Sequence, residues 1–349
     1  MTRSIVKTAA KAAAAAGAAA AVTVVPTVWA YKKAFSAEKL RGRDDKDFEF
    51  RGQMSEHRDE IVALIDRLKA RPFEWVYTGS DDGLVLAGRL YDQGPDTPLV
   101  ICFHGWKGTA FRDFAGGGNF LLDAGFSTLL VDERGQGVSG GKSMTFGILE
   151  RFDVRSWAEF ARKRFGEERP VFLCGVSMGA AAVLMASDLG LPKNVKGILA
   201  DCPFNSPREI LEKVAVGNMG LPPQMLVYAK AAARLLGGFR LEDISASESV
   251  RRSGLPVLLI HGTADGFVPS YMSAKIAAAN PKTVRYELFE GAEHGMSYFA
   301  DRGRYESLTV GFIEEQLGSA SGGPSDAGSC ADPHSARGGE ETDAGRKSE

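Results

Sequence analysis

The sequence predicts an α/β domain that is built on a mostly parallel sheet and spans residues 72–317. Two observations support this fold class. Continuous apolar runs of strand length alternate with helix-length segments, as they do when parallel strands are buried on both faces. The first two runs are joined by Ser80-Asp81-Asp82-Gly83, a turn sequence typical of an antiparallel hairpin. The predicted strands are 74–78, 84–91, 99–103, 127–131, 171–174, 197–200, 257–260 and 285–289.

Residues 1–36 have the pattern of a signal anchor or a signal peptide. Basic residues precede an uncharged, alanine-rich run over 12–30, which approaches the ~20 residues needed to span a bilayer. Val28-Trp29-Ala30 resembles a signal-peptidase site, and Pro26 interrupts the run. The pattern therefore predicts membrane association or export. It leaves open which of the two applies, on which side of the membrane the domain lies, and whether the run is instead a soluble alanine-rich helix.

Two further segments flank the predicted domain. Residues 37–71 are predicted as a charged linker followed by an amphipathic helix, because apolar residues recur at helical spacing. These apolar residues are Ile61, Leu64, Ile65 and Leu68. Residues 318–349 are rich in Gly, Ser, Asp and Glu and are predicted to be a disordered tail.

Composition excludes several classes of function. A net charge of -2 and a pI of about 6.3 give no basic patch for nucleic acid. The chain contains no H-E-x-x-H or P-loop motif, so we predict neither a metal nor a cofactor. Cys102, Cys174 and Cys202 lie in apolar strand-like runs, which indicates buried free thiols. Nothing in the sequence predicts the oligomeric state.

The segment Gly175-Val176-Ser177-Met178-Gly179 is the strongest indication of chemistry. It joins a predicted buried strand to a predicted small-residue helix. A sharp turn there holds a serine in a strained conformation with its hydroxyl exposed at a helix N-terminus, where negative charge is favoured. Ser177 is therefore the candidate nucleophile.

A nucleophilic serine needs a base, and the base needs an orienting acid. His294 follows the last predicted strand, whereas His57 and His334 lie outside the domain and His104 and His261 each precede a glycine at a strand end. Loops after parallel strands hold the functional residues of α/β sheets, so His294 is the candidate base. The candidate acid is Asp265, and Asp201 is the alternative. A serine on a sharp strand-to-helix turn, known as a nucleophile elbow, is followed along the chain first by the acid and then by the histidine, which is the order of Ser177, Asp265 and His294.

Acyl transfer also needs donors for an oxyanion. We predict the backbone N–H groups of Met178, directly after the serine, and of Trp106, in a glycine-containing loop. Trp106, Phe111 and Phe204 are the candidate substrate-binding side chains. Residues 205–253 are a helical insert, which either caps the serine over a hydrophobic substrate group or completes the core.

Together these motifs resemble those of the α/β-hydrolase superfamily, in particular its bacterial prolyl-oligopeptidase-like and dienelactone-hydrolase-like branch. The resemblance covers residues 73–317. It implies a mostly parallel eight-stranded sheet with helices on both faces, and a metal-free serine hydrolase. The motifs are Phe103-His104-Gly105-Trp106, Asp132-Glu133-Arg134-Gly135-Gln136-Gly137-Val138-Ser139, Gly175-Val176-Ser177-Met178-Gly179, Asp201-Cys202-Pro203-Phe204, His261-Gly262-Thr263-Ala264-Asp265, Phe267-Val268-Pro269 and Ala292-Glu293-His294.

The leading hypothesis is hydrolysis of a small-molecule carboxylic ester or other acyl substrate through an acyl-enzyme. The same residues would also serve a peptidase, an amidase or a thioesterase. A third hypothesis, from another class, is a binding protein on a retired hydrolase fold, which would be marked by loss of one of the three residues; all three are present.

Overall fold

An eight-stranded sheet forms the centre of the protein, with strand order β1-β2-β4-β3-β5-β6-β7-β8. Strand β2 is antiparallel to both of its neighbours, and the remaining pairs are parallel. The predicted fold class is confirmed. The strands are β1 Glu74–Gly79, β2 Val85–Tyr91, β3 Leu99–Phe103, β4 Ser127–Val131, β5 Val171–Val176, β6 Val195–Asp201, β7 Val257–Gly262 and β8 Val284–Phe289.

The computed structural model describes residues 8, 11, 23–37, 45–46, 48–241 and 244–318. Residues 23–34 are helical, and two short π-helical turns cover Lys213–Asn218 and Ala233–Gly237. The other helices are α1 Gln53–Glu56, α2 Arg58–Ala70, α3 Ala110–Asp113, α4 Ala115–Asp123, α5 Glu150–Phe165, α6 Met178–Ala186, α7 Pro207–Glu212, α8 Met225–Ala232, α9 Ala246–Arg252, α10 Tyr271–Ala279, α11 Ser297–Ala300 and α12 Arg302–Gly318.

Each predicted strand is present, and the observed bounds agree to within two residues. The differences reach two residues at the carboxyl ends of β5 and β7, which run on to Val176 and Gly262, and at the start of β6, which begins at Val195. The carboxyl ends of β5, β6 and β7 lie at one edge of the sheet, where the parallel strands end together. The candidate residues Ser177, Asp201 and Asp265 lie at or just past this edge.

Helices cover both faces of the sheet, as the resemblance implied. Successive side chains of a strand point to opposite faces. In β3, Leu99 and Ile101 belong to one buried apolar cluster, and Val100 and Cys102 belong to another. Residues of α5, α6, α9 and α10 join the first cluster, and residues of α2, α4 and α12 join the second.

The predicted amphipathic helix is present but is interrupted at His57, between α1 and α2. Its apolar stripe packs on the domain as the spacing indicated, with Ile65 and Leu68 fully buried. Asn119 Nδ2 of α4 donates to Leu64 O at 2.9 Å, and the Tyr91 hydroxyl donates to Leu68 O at 3.0 Å. Both bonds join this helix to the body of the domain.

The helix over residues 23–34 also packs against the domain. Phe35, just after it, is fully buried, and its ring lies edge-on to Phe146 at 5.8 Å and to Phe239 at 5.2 Å. Most of the predicted membrane-directing segment, residues 1–7, 9–10 and 12–22, lies outside the described residues, as do most of the predicted linker and the tail from 319 onward. The described parts of the chain contain no helix that is long and apolar enough to cross a bilayer.

Candidate active site

Ser177 lies on a strained turn between β5 and α6, with φ 55° and ψ -112°. A positive φ is uncommon for a residue with a Cβ and is typical of functional sites. The two flanking glycines explain how the turn fits. A Cβ at Gly175 would collide with the backbone of Gly179 and Ala180, and one at Gly179 would collide with the carbonyl of Phe103. Helix α6 therefore packs closely on the sheet and holds the serine in place.

The structure brings the three candidate side chains into one hydrogen-bonded line. His294 Nε2 lies 2.9 Å from Ser177 Oγ, and His294 Nδ1 lies 2.6 Å from Asp265 Oδ2. Asp265 follows β7 and His294 follows β8, so neighbouring strand ends carry the acid and the base. The carboxylate is fully buried, whereas a quarter of the imidazole side chain is exposed. The candidate base is thus partly exposed.

Asp265 is held as an oriented carboxylate. Its Oδ1 accepts hydrogen bonds from the backbone N–H groups of Phe267 at 2.9 Å and Val268 at 2.8 Å. Burial raises the pKa of Asp265, but the charge of His294 and hydrogen bonds from His261, His294 and the Val268 amide outweigh burial, so the pKa lies well below its ordinary value. The acid is therefore ionised and able to fix the orientation of the imidazole.

His261, set aside as the base because it precedes a glycine at a strand end, contacts the acid and its loop from the interior of the domain. Its ring is fully buried, with Nε2 2.8 Å from Val268 O and Nδ1 2.6 Å from Ser273 Oγ. The same Nε2 lies 3.3 Å from Asp265 Oδ2. His261 thus positions the loop that carries the acid.

The alternative acid, Asp201, lies outside the line. Its Oδ1 accepts a hydrogen bond from Ser297 Oγ at 3.1 Å, and no hydrogen bond joins it to His294 among the residues described. Burial raises the pKa of Asp201 to about 6, against smaller opposing effects from His261 and Ser297. The structure therefore favours Asp265 as the partner of His294.

The two candidate oxyanion donors lie beside the serine. In the described parts of the chain, neither the Trp106 nor the Met178 backbone N–H donates a hydrogen bond to another group. Met178 opens α6, whose first N–H groups have no intrahelical acceptor. The loop bearing Trp106 approaches the serine closely, since a Cβ at Gly105 would lie 3.3 Å from Ser177 Cβ. Both amides are thus available to a negatively charged oxygen.

The loop that contains Gly105 and Trp106 is held by hydrogen bonds from residues that the sequence did not single out for this role. Asp113 Oδ2 accepts from the Gly105 N–H at 2.7 Å, and Arg112 pairs with the other oxygen. His104 Nδ1 donates to Gly105 O at 2.9 Å, while its Nε2 accepts from Glu133 N at 3.1 Å. Burial lowers the pKa of His104, which keeps the ring neutral for that acceptor role. No local pattern marks these partners, because each bond joins separate segments.

The loop that carries His294 has a similar support. Gln53 N donates to Glu293 Oε2 at 2.8 Å, and Glu293 N donates to Gln53 Oε1 at 3.1 Å. Gly52, with φ 52°, leaves no room for a Cβ against the same carboxylate. The start of α1 therefore fixes the residue next to the base.

Two cavities meet at Ser177. The first, of about 100 Å³, is apolar and extends beneath the insert, whose residues form about half of its wall. The second, of about 200 Å³, includes Arg112, Asp113 and His294. The first is lined by Trp29, Ala30, Lys33, Ala34, Trp106, Phe146, Ser177, Phe204, Ile210, Leu211, Val214, Ala215, Met219, Leu221, Met225, Leu226, Ala229, Phe267 and Val268.

The predicted substrate-binding residues divide between two locations. Trp106 lines both cavities, and Phe204 lines the apolar one. Phe111 lines neither; its ring is buried 6.4 Å from Phe73 and 4.7 Å from the Arg89 guanidinium. Its place on the first turn of α3 directs the ring into the core beneath β2, so it does not reach the serine.

One group of potential metal ligands occurs in the described residues, namely Cys202, Asp265 and His294, with one ligand atom of each within 4.8 Å. It overlaps the hydrogen-bonded line at the serine. Cys102, Cys174 and Cys202 are buried free thiols, as predicted.

Comparisons with known proteins agree with this fold. Residues 94–250 match the family model described as serine aminopeptidase, S33. The chain is 26% identical to the uncharacterized protein YqkD of Bacillus subtilis, over 56% of this chain and 65% of the relative, just under two thirds of its length. It is 24% identical to the bifunctional esterase/perhydrolase DCH of Acinetobacter calcoaceticus, over 63% of this chain and 93% of that one.

The fold is also similar to that of a solved structure, the esterase Pf2001 of Pyrococcus furiosus. The TM-score is 0.59 at 22% identity, over 72% of this chain and 93% of the other. This structural similarity, the match to the hydrolase family model and the elbow at Ser177 agree with one another. The chain therefore has the fold of an α/β hydrolase, and its residues 94–250 are similar to a hydrolase family.

Proposed function

We propose that this protein hydrolyses carboxylic esters through an acyl-enzyme formed on Ser177. The observation that carries the proposal is the line from Ser177 Oγ through His294 to the ionised Asp265, at 2.9 and 2.6 Å. The esterase names of DCH and Pf2001 support the same bond type.

The geometry suits a two-step reaction. His294 Nε2 takes the hydroxyl proton as Ser177 Oγ attacks the ester carbonyl, and Asp265 stabilises the imidazolium that forms. The Trp106 and Met178 amides donate to the oxyanion. His294 then gives its proton to the departing alkoxide. A water molecule, deprotonated by His294, attacks the acyl-enzyme, and the acid leaves as Ser177 regains its proton.

The shape of the site indicates which part of a substrate lies where. The apolar cavity offers Ser177 Oγ and the Lys33 side chain as its polar groups, so it suits a hydrocarbon chain. The second cavity contains the Arg112–Asp113 pair beside His294, from which a leaving alcohol would receive its proton. We therefore place the acyl group in the apolar cavity and the alcohol in the polar one.

The test is steady-state hydrolysis of p-nitrophenyl butyrate by the full chain. We expect Ser177→Ala to lower kcat by at least about 10⁴-fold, as loss of a nucleophile does. Ser187→Ala is the matched control. Ser187 lies at the C-terminal end of α6, and its hydroxyl is buried without a hydrogen-bond partner. If Ser177→Ala and Ser187→Ala retain equal activity, the proposal fails.

A second candidate, amide hydrolysis, is favoured by the description of the matched family as a serine aminopeptidase. An aminopeptidase must bind a cationic substrate N-terminus. Among the described residues that line the two cavities, Asp113 carries the one carboxylate, and it is committed to Arg112 and the Gly105 amide. Faster hydrolysis of an amino-acyl p-nitroanilide than of the matching p-nitrophenyl ester would favour this candidate over the ester.

A further inference from the structure

The helix over residues 23–34 forms one wall of the apolar cavity. Trp29, Ala30 and Ala34 line it from this helix, and residues of the insert line it from the other side. Two hydrogen bonds join the helix to the loop that bears Trp106, which we call the oxyanion loop. Trp106 Nε1 donates to Ala34 O at 2.9 Å, and Lys107 Nζ donates to Lys33 O at 2.7 Å. The segment that sequence patterns assign to a membrane therefore ends inside the candidate active site.

The mouth of this cavity is apolar and exposed. Trp29 and Met219 both line the cavity and remain 37% and 51% exposed. Val25, 64% exposed, lies one turn before Trp29 on the same side of the helix. Exposed apolar side chains that surround a cavity mouth mark an interaction surface, and tryptophan favours the lipid–water interface.

The charged residues of the same segment are all basic. Residues 1–37 contain five basic residues and no acidic residue, although the whole chain has a net charge of -2. Basic residues beside an apolar helical face attract anionic lipids. The charge and the apolar face therefore point to the same occupant, an anionic lipid bilayer.

We infer that the protein docks on an anionic bilayer through the face formed by Val25, Trp29 and Met219, and that it takes a long-chain acyl ester from that bilayer, with the part of the chain next to the ester entering the apolar cavity. This inference rests on the proposed ester hydrolysis and adds the substrate class and its source. Docking by this face places the cavity mouth at the lipid surface. An acyl chain then passes from lipid to cavity without crossing water, which avoids the cost of hydrating it.

The experiment compares two substrates with the full chain: p-nitrophenyl acetate in solution, and p-nitrophenyl palmitate in vesicles of phosphatidylglycerol and phosphatidylcholine. Val25→Glu is the test variant, and Val85→Glu, at a valine 62% exposed on β2, is the matched control. We expect Val25→Glu to weaken vesicle co-sedimentation and palmitate turnover by about tenfold relative to acetate turnover, since removing one apolar contact and adding a charge exceeds about 1.4 kcal/mol. Val85→Glu should behave as wild type.

Wild-type binding supplies a second measurement that needs no variant. It should fall at least about tenfold when phosphatidylglycerol is replaced by phosphatidylcholine, or when salt is raised enough to screen surface charge. Equal vesicle binding by the Val25→Glu and Val85→Glu variants, or wild-type binding that ignores lipid charge, overturns the docking inference. Absence of acetate turnover by the wild type overturns the proposed function instead, so the two failures are distinguishable.

Discussion

Replacing Ser177 with glycine should stabilise the fold relative to replacing it with alanine. Both variants lose the hydroxyl and its hydrogen bond to His294. Only glycine relieves the backbone, which has φ 55° and ψ -112° at this residue. Strain of this kind destabilises the folded state by about 1–3 kcal/mol. Glycine also has greater freedom in the unfolded chain, which offsets about 0.5–1 kcal/mol of the relief. The expected net gain for Ser177→Gly over Ser177→Ala is therefore about 1 kcal/mol.

The assay is thermal unfolding of the two variants, followed by circular dichroism. A gain of about 1 kcal/mol corresponds to roughly 2–4 °C in Tm for a domain of this size. Both variants should be inactive, so the stability gained has no catalytic benefit. Such a result would show that the fold stores strain where the nucleophile lies.

The matched control is the same pair of substitutions at Ser187. Its backbone is helical, with φ -59° and ψ -24° at the end of α6. Glycine there should be less stable than alanine by about 0.5–1 kcal/mol, since no strain is relieved. If glycine is also the less stable residue at Ser177, by a similar amount, the argument from strain is refuted.

Two further predictions concern groups around the line of three residues. Asp201 has a pKa of about 6 in the folded protein against an ordinary 3.8, so the folded state binds more protons between these values and stability falls as the pH rises through that window. Asp201→Asn should remove this slope, worth up to about 3 kcal/mol, in urea unfolding at pH 4 and pH 7; an unchanged slope would contradict the assignment. Asp113→Ala should lower kcat by about 10- to 100-fold with little change in KM, because the Gly105 amide loses its acceptor and the oxyanion loop loosens. Asp113→Asn, which keeps an oxygen for that amide, should lose less, and equal losses would indicate that charge matters instead.

The strands and the three central residues could be predicted because each has a local pattern. Buried parallel strands are continuous apolar runs, and Ser177 lies within a glycine-flanked turn between two such patterns. Asp265 and His294 each follow a strand end, and parallel strands bring their carboxyl ends to one edge. Sequence order was therefore enough to bring the three residues together.

The surrounding contacts could not be predicted, because they depend on how distant segments meet. Phe111 has a suitable side chain for a substrate cavity, but the direction of α3 packs it against Phe73. Ala30 and Ala34 line the cavity, whereas the sequence of their segment indicated an anchor, a signal peptide or a soluble alanine-rich helix. Their small side chains allow the helix to lie close to the insert, and this becomes visible only when both are placed in three dimensions.

The interruption of the amphipathic helix at His57 is of the same kind. No proline or glycine lies at the break, so its sequence reads as continuous helix. The break separates α1, whose Gln53 pairs with Glu293 beside the base, from α2, whose apolar face packs on the domain. Two different tertiary requirements, one at each end, override the local preference.

The most direct test of the account is to trap the acyl-enzyme. The full chain would be mixed with p-nitrophenyl butyrate, quenched with acid within milliseconds, digested and analysed by peptide mass spectrometry. The account predicts a butyryl group on the peptide that contains Ser177, formed together with a burst of p-nitrophenol and absent from Ser177→Ala. Steady turnover of the ester with Ser177 unmodified, and undiminished in Ser177→Ala, would contradict it.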